Sequence, residues 1–317
     1  MTRVRARRPT AAVAAPGARR FDVVGIGLSS VDHLAVVERH PRLDGKQELV
    51  AYDMQPGGQV PTALVALQRW GLRTAYVGAF GDDAGGVLAH RAMDAEGVDL
   101  SAAVTRPQTR QQVSVILIDR VSGERSVLWE RADALELTET EIPAGILAAT
   151  RALLMDAVGL PQAIAAARRA RAAGALVVLD TDAPAPGIDE LLALTDVLIV
   201  SGGFVERLTG RADLRAALRA TAARGPWFVG VTLGAGGAMA SVNGHLHCVP
   251  AYRVRTVDTT GAGDVFHAGA VYGLLQGWPV DDTLRFAAAA AALKCERIGG
   301  RPGIPTLERA LRLVRGA

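Results

Sequence analysis

Val257-Asp258-Thr259-Thr260-Gly261-Ala262-Gly263-Asp264-Val265-Phe266 is the stretch from which this chain is best read. Two glycines flanking an alanine let a backbone approach a ligand closely. The apolar residues from Val265 to Leu275 recur with helical spacing, which predicts a helix whose N-terminal amides come from residues 261–264. Unpaired N–H groups and the positive end of the helix dipole suit a phosphate or a developing phosphoryl charge. Asp264, in the first turn, stands where a carboxylate takes a proton from an attacking hydroxyl. This is the layout that phosphoryl transfer needs, although a Gly-rich turn followed by Asp is, taken alone, equally a capped helix.

Outward from that run the chain alternates strand and helix signals. Phe21 to Gly27 reads as a strand ending in a turn, and Thr62 to Trp70 as a helix with Pro61 near its start and Gly71 just after it. Apolar strands at 152–156, 176–180 and 196–200 precede helices expected at 161–173, 188–194 and 203–209. Continuous apolar strands ending in Asp or Ser suit a parallel sheet covered on both faces, with ligands at the carboxyl ends. The expected fold is therefore α/β, a doubly wound, mostly parallel sheet flanked by helices. Residues 33–55 and 111–131 break this rhythm. Val113, Val115 and Leu117 alternate, and after the turn at Ser122-Gly123 so do Val127 and Trp129, which predicts a hairpin and a small sheet outside the main one.

Composition sets bounds. With 317 residues and 50% apolar content the chain can bury a large core. The net charge of +3 comes from Arg3, Arg5, Arg7, Arg8, Arg19 and Arg20, which have no acidic companions, so residues 1–20 are expected to form a disordered Arg-rich tail ahead of a domain at 21–317. The remainder is slightly acidic, which gives nucleic-acid binding little support. No apolar run is long enough to span a membrane. Cys248 and Cys295 are too few for a disulfide framework and are expected to be buried fillers in a cytoplasmic protein. His245 and His247 are read as surface residues of a strand edge, and His267 as packed or capping. Gly25-Ile26-Gly27 starts no G-x-G-x-x-G, so dinucleotide chemistry is not supported.

Four motifs in order carry a resemblance. The stretch Asp258 to Phe266 resembles the C-terminal signature of the PfkB (ribokinase-like) carbohydrate kinase family, and Pro56-Gly57-Gly58-Gln59-Val60-Pro61-Thr62-Ala63 through Gly71 resembles its N-terminal signature. Val77 to Gly85 is similar to its V-G-x-x-G-D-D-x-x-G, and Val231 to Gly237 to its T-L-G-x-x-G nucleotide strand and turn. The likeness covers residues 21–310.

The resemblance implies a ribokinase-like fold with a small β-sheet lid over the sugar, and a homodimer formed through that lid. It implies a sugar substrate, ATP and Mg2+, with Asp264 as general base and Gly261, Ala262 and Gly263 completing the anion hole. Asp32, expected at the end of the first strand, with Gly57, Gly58, Gln59, Thr62 and Asp156, would contact the sugar. Thr232, Gly234 and Gly237 would hold the nucleotide, with Gly299 and Gly300 facing the adenine. Asp258 and Thr260 could form a potassium site, and Arg125 on the lid hairpin could contact sugar. Three departures narrow this. Gln59 and Thr62 stand where ribokinases carry Lys and Asn, and Val158 where they carry a ribose-contacting Glu, which points away from ribose. Ser201-Gly202-Gly203-Phe204 replaces the family's N-x-x-E, so magnesium is expected to be held by nucleotide oxygens and water. A nucleoside kinase and a non-catalytic sugar or nucleotide sensor remain alternatives.

Overall fold

The computed structural model describes residues 15, 17 and 19–316. Among these the strands are β1 (Phe21–Ile26), β2 (Ser30–Val37), β3 (Ala51–Gly57), β4 (Thr74–Val77), β5 (Ala79–Gly81), β6 (Val104–Arg106), β7 (Gln112–Asp119) and β8 (Arg125–Glu130) in the first half. They continue as β9 (Thr150–Asp156), β10 (Leu176–Asp180), β11 (Val197–Ser201), β12 (Phe228–Thr232), β13 (Ala238–Val242) and β14 (His245–Val249). The α-helices are α1 (Gln59–Arg69), α2 (Ala84–Ala95), α3 (Ala144–Ala148), α4 (Leu160–Ala172), α5 (Ile188–Leu194), α6 (Phe204–Thr209), α7 (Leu214–Ala222), α8 (Ala262–Leu275), α9 (Val280–Lys294) and α10 (Leu307–Arg315).

The main sheet has the order β14-β13-β12-β11-β10-β9-β1-β4, parallel from β4 to β12, with β13 and β14 folded back antiparallel at one edge. Its strands read as unbroken apolar runs because both faces are covered. Val23, Leu154, Val178 and Ile199 pack with Leu64, Val271 and Phe286 of α1, α8 and α9. Val24, Leu153, Leu179 and Leu198 pack with Ala166, Leu191 and Leu218 of α4, α5 and α7. Each fully buried side chain of this kind contributes about 1.5–3 kcal/mol, so a one-residue register slip, which would exchange the two faces, is strongly disfavoured. That register aligns the carboxyl ends, with Asp156 beside Asp180 and Ser201 beside Thr232. Chain order reverses between β1 and β9, the switch point at which open α/β sheets form their crevice.

The lid is a second sheet of order β3-β2-β7-β8. Strand pairing places Asp32, Ser114 and Trp129 in one row facing the main sheet, and Met54, His33, Val115 and Leu128 in a row on the outer face. Tyr52, Met54, Val115 and Leu128 are exposed there.

Four expectations need correction. The lid begins at Ser30, before residue 33, so Asp32 lies on a lid strand and not at the end of the first main-sheet strand. The cause is the turn after β1, where the Asp156 carboxylate accepts the Leu28 amide at 2.8 Å and directs the chain outward. Helix α1 starts at Gln59, with Pro61 in its first turn, where the missing N–H costs no helical bond. Most of the expected tail lies outside the described residues, but Arg19 donates to the main-chain oxygens of Thr150 and Ala173 and Arg20 pairs with Asp99 at 2.9 Å, so residues 19–20 belong to the folded body. Cys295 is buried as expected, whereas Cys248 is exposed because β14 is an edge strand. On the same strand His247 Nδ1 lies 2.8 Å from Asp281 Oδ1. No helix of the described residues is long and apolar enough to cross a membrane.

Candidate active site

Gly261 caps α8 with φ near +76°, a conformation natural to glycine, and a Cβ there would lie 2.7 Å from Gly300 Cα. Beyond it Ala262, Gly263 and Asp264 form the first helical turn. A Cβ added at Gly263 would meet nothing within 4 Å, so the turn presents open backbone. The expected anion hole is smaller than four amides, because Ala262 N–H is spent on Thr259 O at 3.1 Å in a tight turn. The amides of Gly261, Gly263 and Asp264 have no hydrogen-bond partner among the described residues.

A cavity of about 570 Å³ runs between this turn, the strand ends and the lid. Asp264, Asp180, Asp182, Ser201 and Thr232 line one side, and Asp32, Ser114 and Trp129 the other. Burial pushes the Asp264 carboxyl up to about 8, the charge of Asp180 adds to the shift, and His267 and Arg125 oppose it. Asp180 is itself raised well above the usual carboxylate range by burial, then by Asp182 and Asp156. His267 is packed, as expected: Nδ1 faces Gly263 O and Nε2 faces Ile199 O, each at 2.8 Å, with Asp180 Oδ1 at 3.4 Å. This ring fastens the first turn of α8 to the middle of β11.

On the lid side Asp32 is buried, accepts Ser30 Oγ at 2.8 Å, and has its carboxyl raised by desolvation. Gly57 allows this placement, since a Cβ there would lie 2.2–2.4 Å from the Asp32 carboxylate atoms. Gly58, with φ near +96°, is the N-cap of α1. Gln59 Nε2 donates to Asp182 Oδ2 at 3.0 Å, and Gln59, Thr62 and Val158 all line the cavity. Asp156 does not join them. It borders a smaller neighbouring cavity, where its carboxylate is committed to the amides of Leu28 and Val158 at 2.8 and 3.0 Å. Burial pushes it up to about 6.

Of the residues expected at the nucleotide, Thr232 lines the cavity at the end of β12, while Gly234 and Gly237 form the turn leading to β13. Gly237 has φ near +88°, and a Cβ there would lie 2.1 Å from Val249 O. Gly300 lies between Thr62 and Gly261, and the Gly299 amide donates to Asp258 Oδ2 at 2.7 Å, so this loop packs beneath the turn that starts α8. Asp258 and Thr260 come together, but on each other: Asp258 Oδ1 accepts Thr260 N–H at 2.8 Å and Thr260 Oγ1 at 2.7 Å.

Sequence reasoning missed Asp180, Asp182, Ser114 and Arg301. For Asp180 the signal was available, since an apolar run ending in Asp is a strand end at a crevice. Arg301 had none. It is buried, donates to Gly57 O at 3.1 Å and leaves Nε and Nη1 without a hydrogen-bond partner among the described residues, and burial pushes it down to about 10 against the charge of Asp32.

A helix end with free amides and a carboxylate in its first turn, facing a lidded polar cavity, is the arrangement a phosphotransferase site requires. The family model "pfkB family carbohydrate kinase" matches residues 20–307, and the chain belongs to that family. It is 30% identical over 306 residues to a ribokinase of Haemophilus influenzae, covering 92% of this chain and 98% of the relative. It is 25% identical to a 5-dehydro-2-deoxygluconokinase of Shouchella clausii, with 93% and 96% covered. Among solved structures, Arabidopsis thaliana ribokinase complexed with ribose and ATP superposes with a TM-score of 0.79 at 25% identity, covering 93% of this chain and 99% of that one. The protein is a carbohydrate kinase, a phosphotransferase with an alcohol group as acceptor, and its ribokinase-like fold is shared with these structures.

Proposed function

We propose that the enzyme transfers the γ-phosphoryl group of ATP to a hydroxyl of a hexose, ketose or related larger polyol in the cytoplasm, with Asp264 as general base. The observation that carries this reading is the position of Asp264 on the open first turn of α8, within the cavity whose far wall holds Asp32. Asp32 and Ser114 orient the sugar from the lid. Asp264 takes the proton of the attacking hydroxyl as its oxygen bonds to phosphorus and the bond to the leaving ADP oxygen breaks. The free amides of Gly261, Gly263 and Asp264 stabilise charge on the transferring group, and positioning with charge stabilisation does most of the work in such reactions. Among the described residues no three His, Cys, Asp or Glu side chains gather as a metal cage. Asp180 and Asp182, on the cavity wall, would offer carboxylates to the water shell of a magnesium ion arriving with the nucleotide, which would neutralise phosphate charge.

Gln59, Thr62 and Val158 on the cavity wall argue against ribose. Beside Val158, Arg131 also lines the cavity and makes no hydrogen bond or ion pair among the described residues, leaving a cationic donor for the far end of a longer substrate. Trp129 and Val127 face the cavity yet remain exposed, and lid closure over sugar would bury them and exclude water. The apolar outer row of the lid fits a second copy of this chain, and sedimentation of wild type against Leu128→Glu tests that dimer. An ADP-release screen over hexoses, ketoses, pentoses, nucleosides and aminocyclitols tests the substrate. Ribose with the highest kcat/KM would overturn the polyol reading, a nucleoside would move the enzyme to nucleoside kinases, and no turnover with ATP bound would favour a sensor.

A further inference from the structure

The loop that leads into the anion hole rests on a lysine. Lys294, the last residue of α9, is completely buried, and its Nζ donates to the main-chain oxygen of Asp258 at 2.9 Å. The end of α9 holds the same loop through its backbone, since the amides of Val257 and Asp258 both donate to Cys295 O, at 2.8 and 3.1 Å. Asp258 is also completely buried, and its carboxylate accepts three donors, Thr260 N–H and Oγ1 on one oxygen and Gly299 N–H on the other. Burial holds the Lys294 ammonium below the usual lysine range, with Arg125 acting in the same sense, while the charges of Asp258 and Asp264 oppose the shift.

These are the oxygens Asp258 has to offer a monovalent cation. A potassium ion at Asp258 would compete with a covalently tethered ammonium for the main-chain oxygen, would find both carboxylate oxygens already accepting, and would be repelled by the fixed positive charge beside it. The expected ion does not fit the residues present. The ammonium does what such an ion would do: it neutralises buried Asp258, fixes the direction of its carbonyl and so holds the 258–261 turn, and sets a positive charge behind the amides that face the phosphate.

We propose that Lys294 is a built-in monovalent cation, a positioning residue that holds the anion-hole loop and makes the enzyme indifferent to potassium. This rests on the reading of α8's first turn as the phosphate site. The test compares KCl, NaCl and tetramethylammonium chloride at one ionic strength, reading kcat/KM, ATP binding by calorimetry, and Tm. Wild type is expected to stay within about twofold in all salts with no salt-specific gain in Tm, because only an ion that binds the native state stabilises it. Lys294→Met, which keeps the length and removes the charge, is expected to lose about tenfold or more in kcat/KM, a loss on the scale of one charged hydrogen bond, and to recover part of it, together with Tm, in KCl or methylammonium chloride but not in tetramethylammonium chloride.

Potassium-specific activation or stabilisation of the wild type would overturn the proposal, as would a Lys294→Met protein of wild-type activity that is blind to cations. If Lys294→Met fails to fold, the wild-type salt series decides alone: indifference supports the proposal and activation sinks it. ATP binding and Tm are read without any sugar, so a failed sugar screen leaves this result standing apart.

Discussion

Arg125 of the lid hairpin donates from Nη1 to Thr259 Oγ1 at 2.8 Å, and Thr259 Oγ1 lies 3.3 Å from the hairpin's own Gly123 O. The tip of the lid is thereby bonded to the residue two positions before Gly261, so lid and α8 turn are joined through a single hydroxyl. Arg125 also offsets part of the shift at Asp264, so its charge reaches that carboxylate.

Arg125→Met is accordingly expected to lower kcat by roughly 10- to 100-fold, somewhat less than loss of a full oxyanion donor, with sugar KM changed much less. Steady-state kinetics with each substrate varied check this. An unchanged kcat would make Arg125 a solvated hairpin residue.

Asp264 carries opposite consequences for rate and stability. Asp264→Asn should leave ATP and sugar binding within about a few-fold and lower turnover by roughly 10² or more, the usual scale of general-base catalysis. The base must be ionised to act and its carboxyl is pushed up to about 8, so kcat/KM should fall with pH below about 8 on the acid side. For stability the sign is reversed. An unfolded Asp ionises near about 3.9, so between that value and about 8 the folded state holds a proton that the unfolded state has lost, and stability declines as pH rises through this window. Asp264→Asn removes that penalty and should raise Tm at pH 8 relative to wild type. A scanning calorimetry trace with Tm unchanged or lowered would count against a strained carboxyl.

What the sequence disclosed, and what it withheld, follows from the range of the interactions. The α8 turn was legible because glycine spacing, the apolar period and Asp264 lie within one short run, and the parallel strands were legible because burial on both faces leaves unbroken apolar runs. Asp32 was read as a site residue but assigned to the wrong strand, since the outward turn after β1 depends on a carboxylate 128 positions away. Lys294 against Asp258 and Arg301 against Gly57 join residues 36 and 244 positions apart, and no local pattern marks a buried lysine or arginine as partner to a carbonyl. Asp156 was taken for a sugar ligand because strand-end carboxylates commonly face the crevice, but one of its oxygens accepts the Leu28 amide of the turn after β1 and the other the amide of Val158.

Gly263→Val separates folding from function. A Cβ at this position meets nothing within 4 Å, and its conformation is ordinary helix, so the variant should fold with Tm near wild type, the intrinsic cost of a β-branched residue being only about half a kcal/mol. The side chain would nevertheless project into the space that phosphate oxygens need to reach the amides of Gly261, Gly263 and Asp264. Turnover is expected to fall by about 10² or more, as when an oxyanion donor is lost. Wild-type turnover in this variant would mean that the phosphate sits elsewhere.

Gly57→Ala tests the sugar side alone. Gly57 ends β3 in a conformation open to any residue, so the added methyl strains no dihedral, and its whole effect falls on the Asp32 carboxylate, whose atoms would lie 2.2–2.4 Å from the new Cβ. Asp32 is buried and held by Ser30, so it has little room to retreat except toward the cavity, where it would occupy space meant for substrate. The phosphate turn at α8 is untouched by this change. Sugar KM should therefore rise by about tenfold or more, the equivalent of about 1.4 kcal/mol of lost binding, while ATP KM stays within about twofold. Steady-state kinetics on the best sugar of the screen, with circular dichroism to confirm folding, check the split. An equal rise in both KM values would mean that the substitution deforms the whole cleft, and an unchanged sugar KM would remove Asp32 from the sugar site.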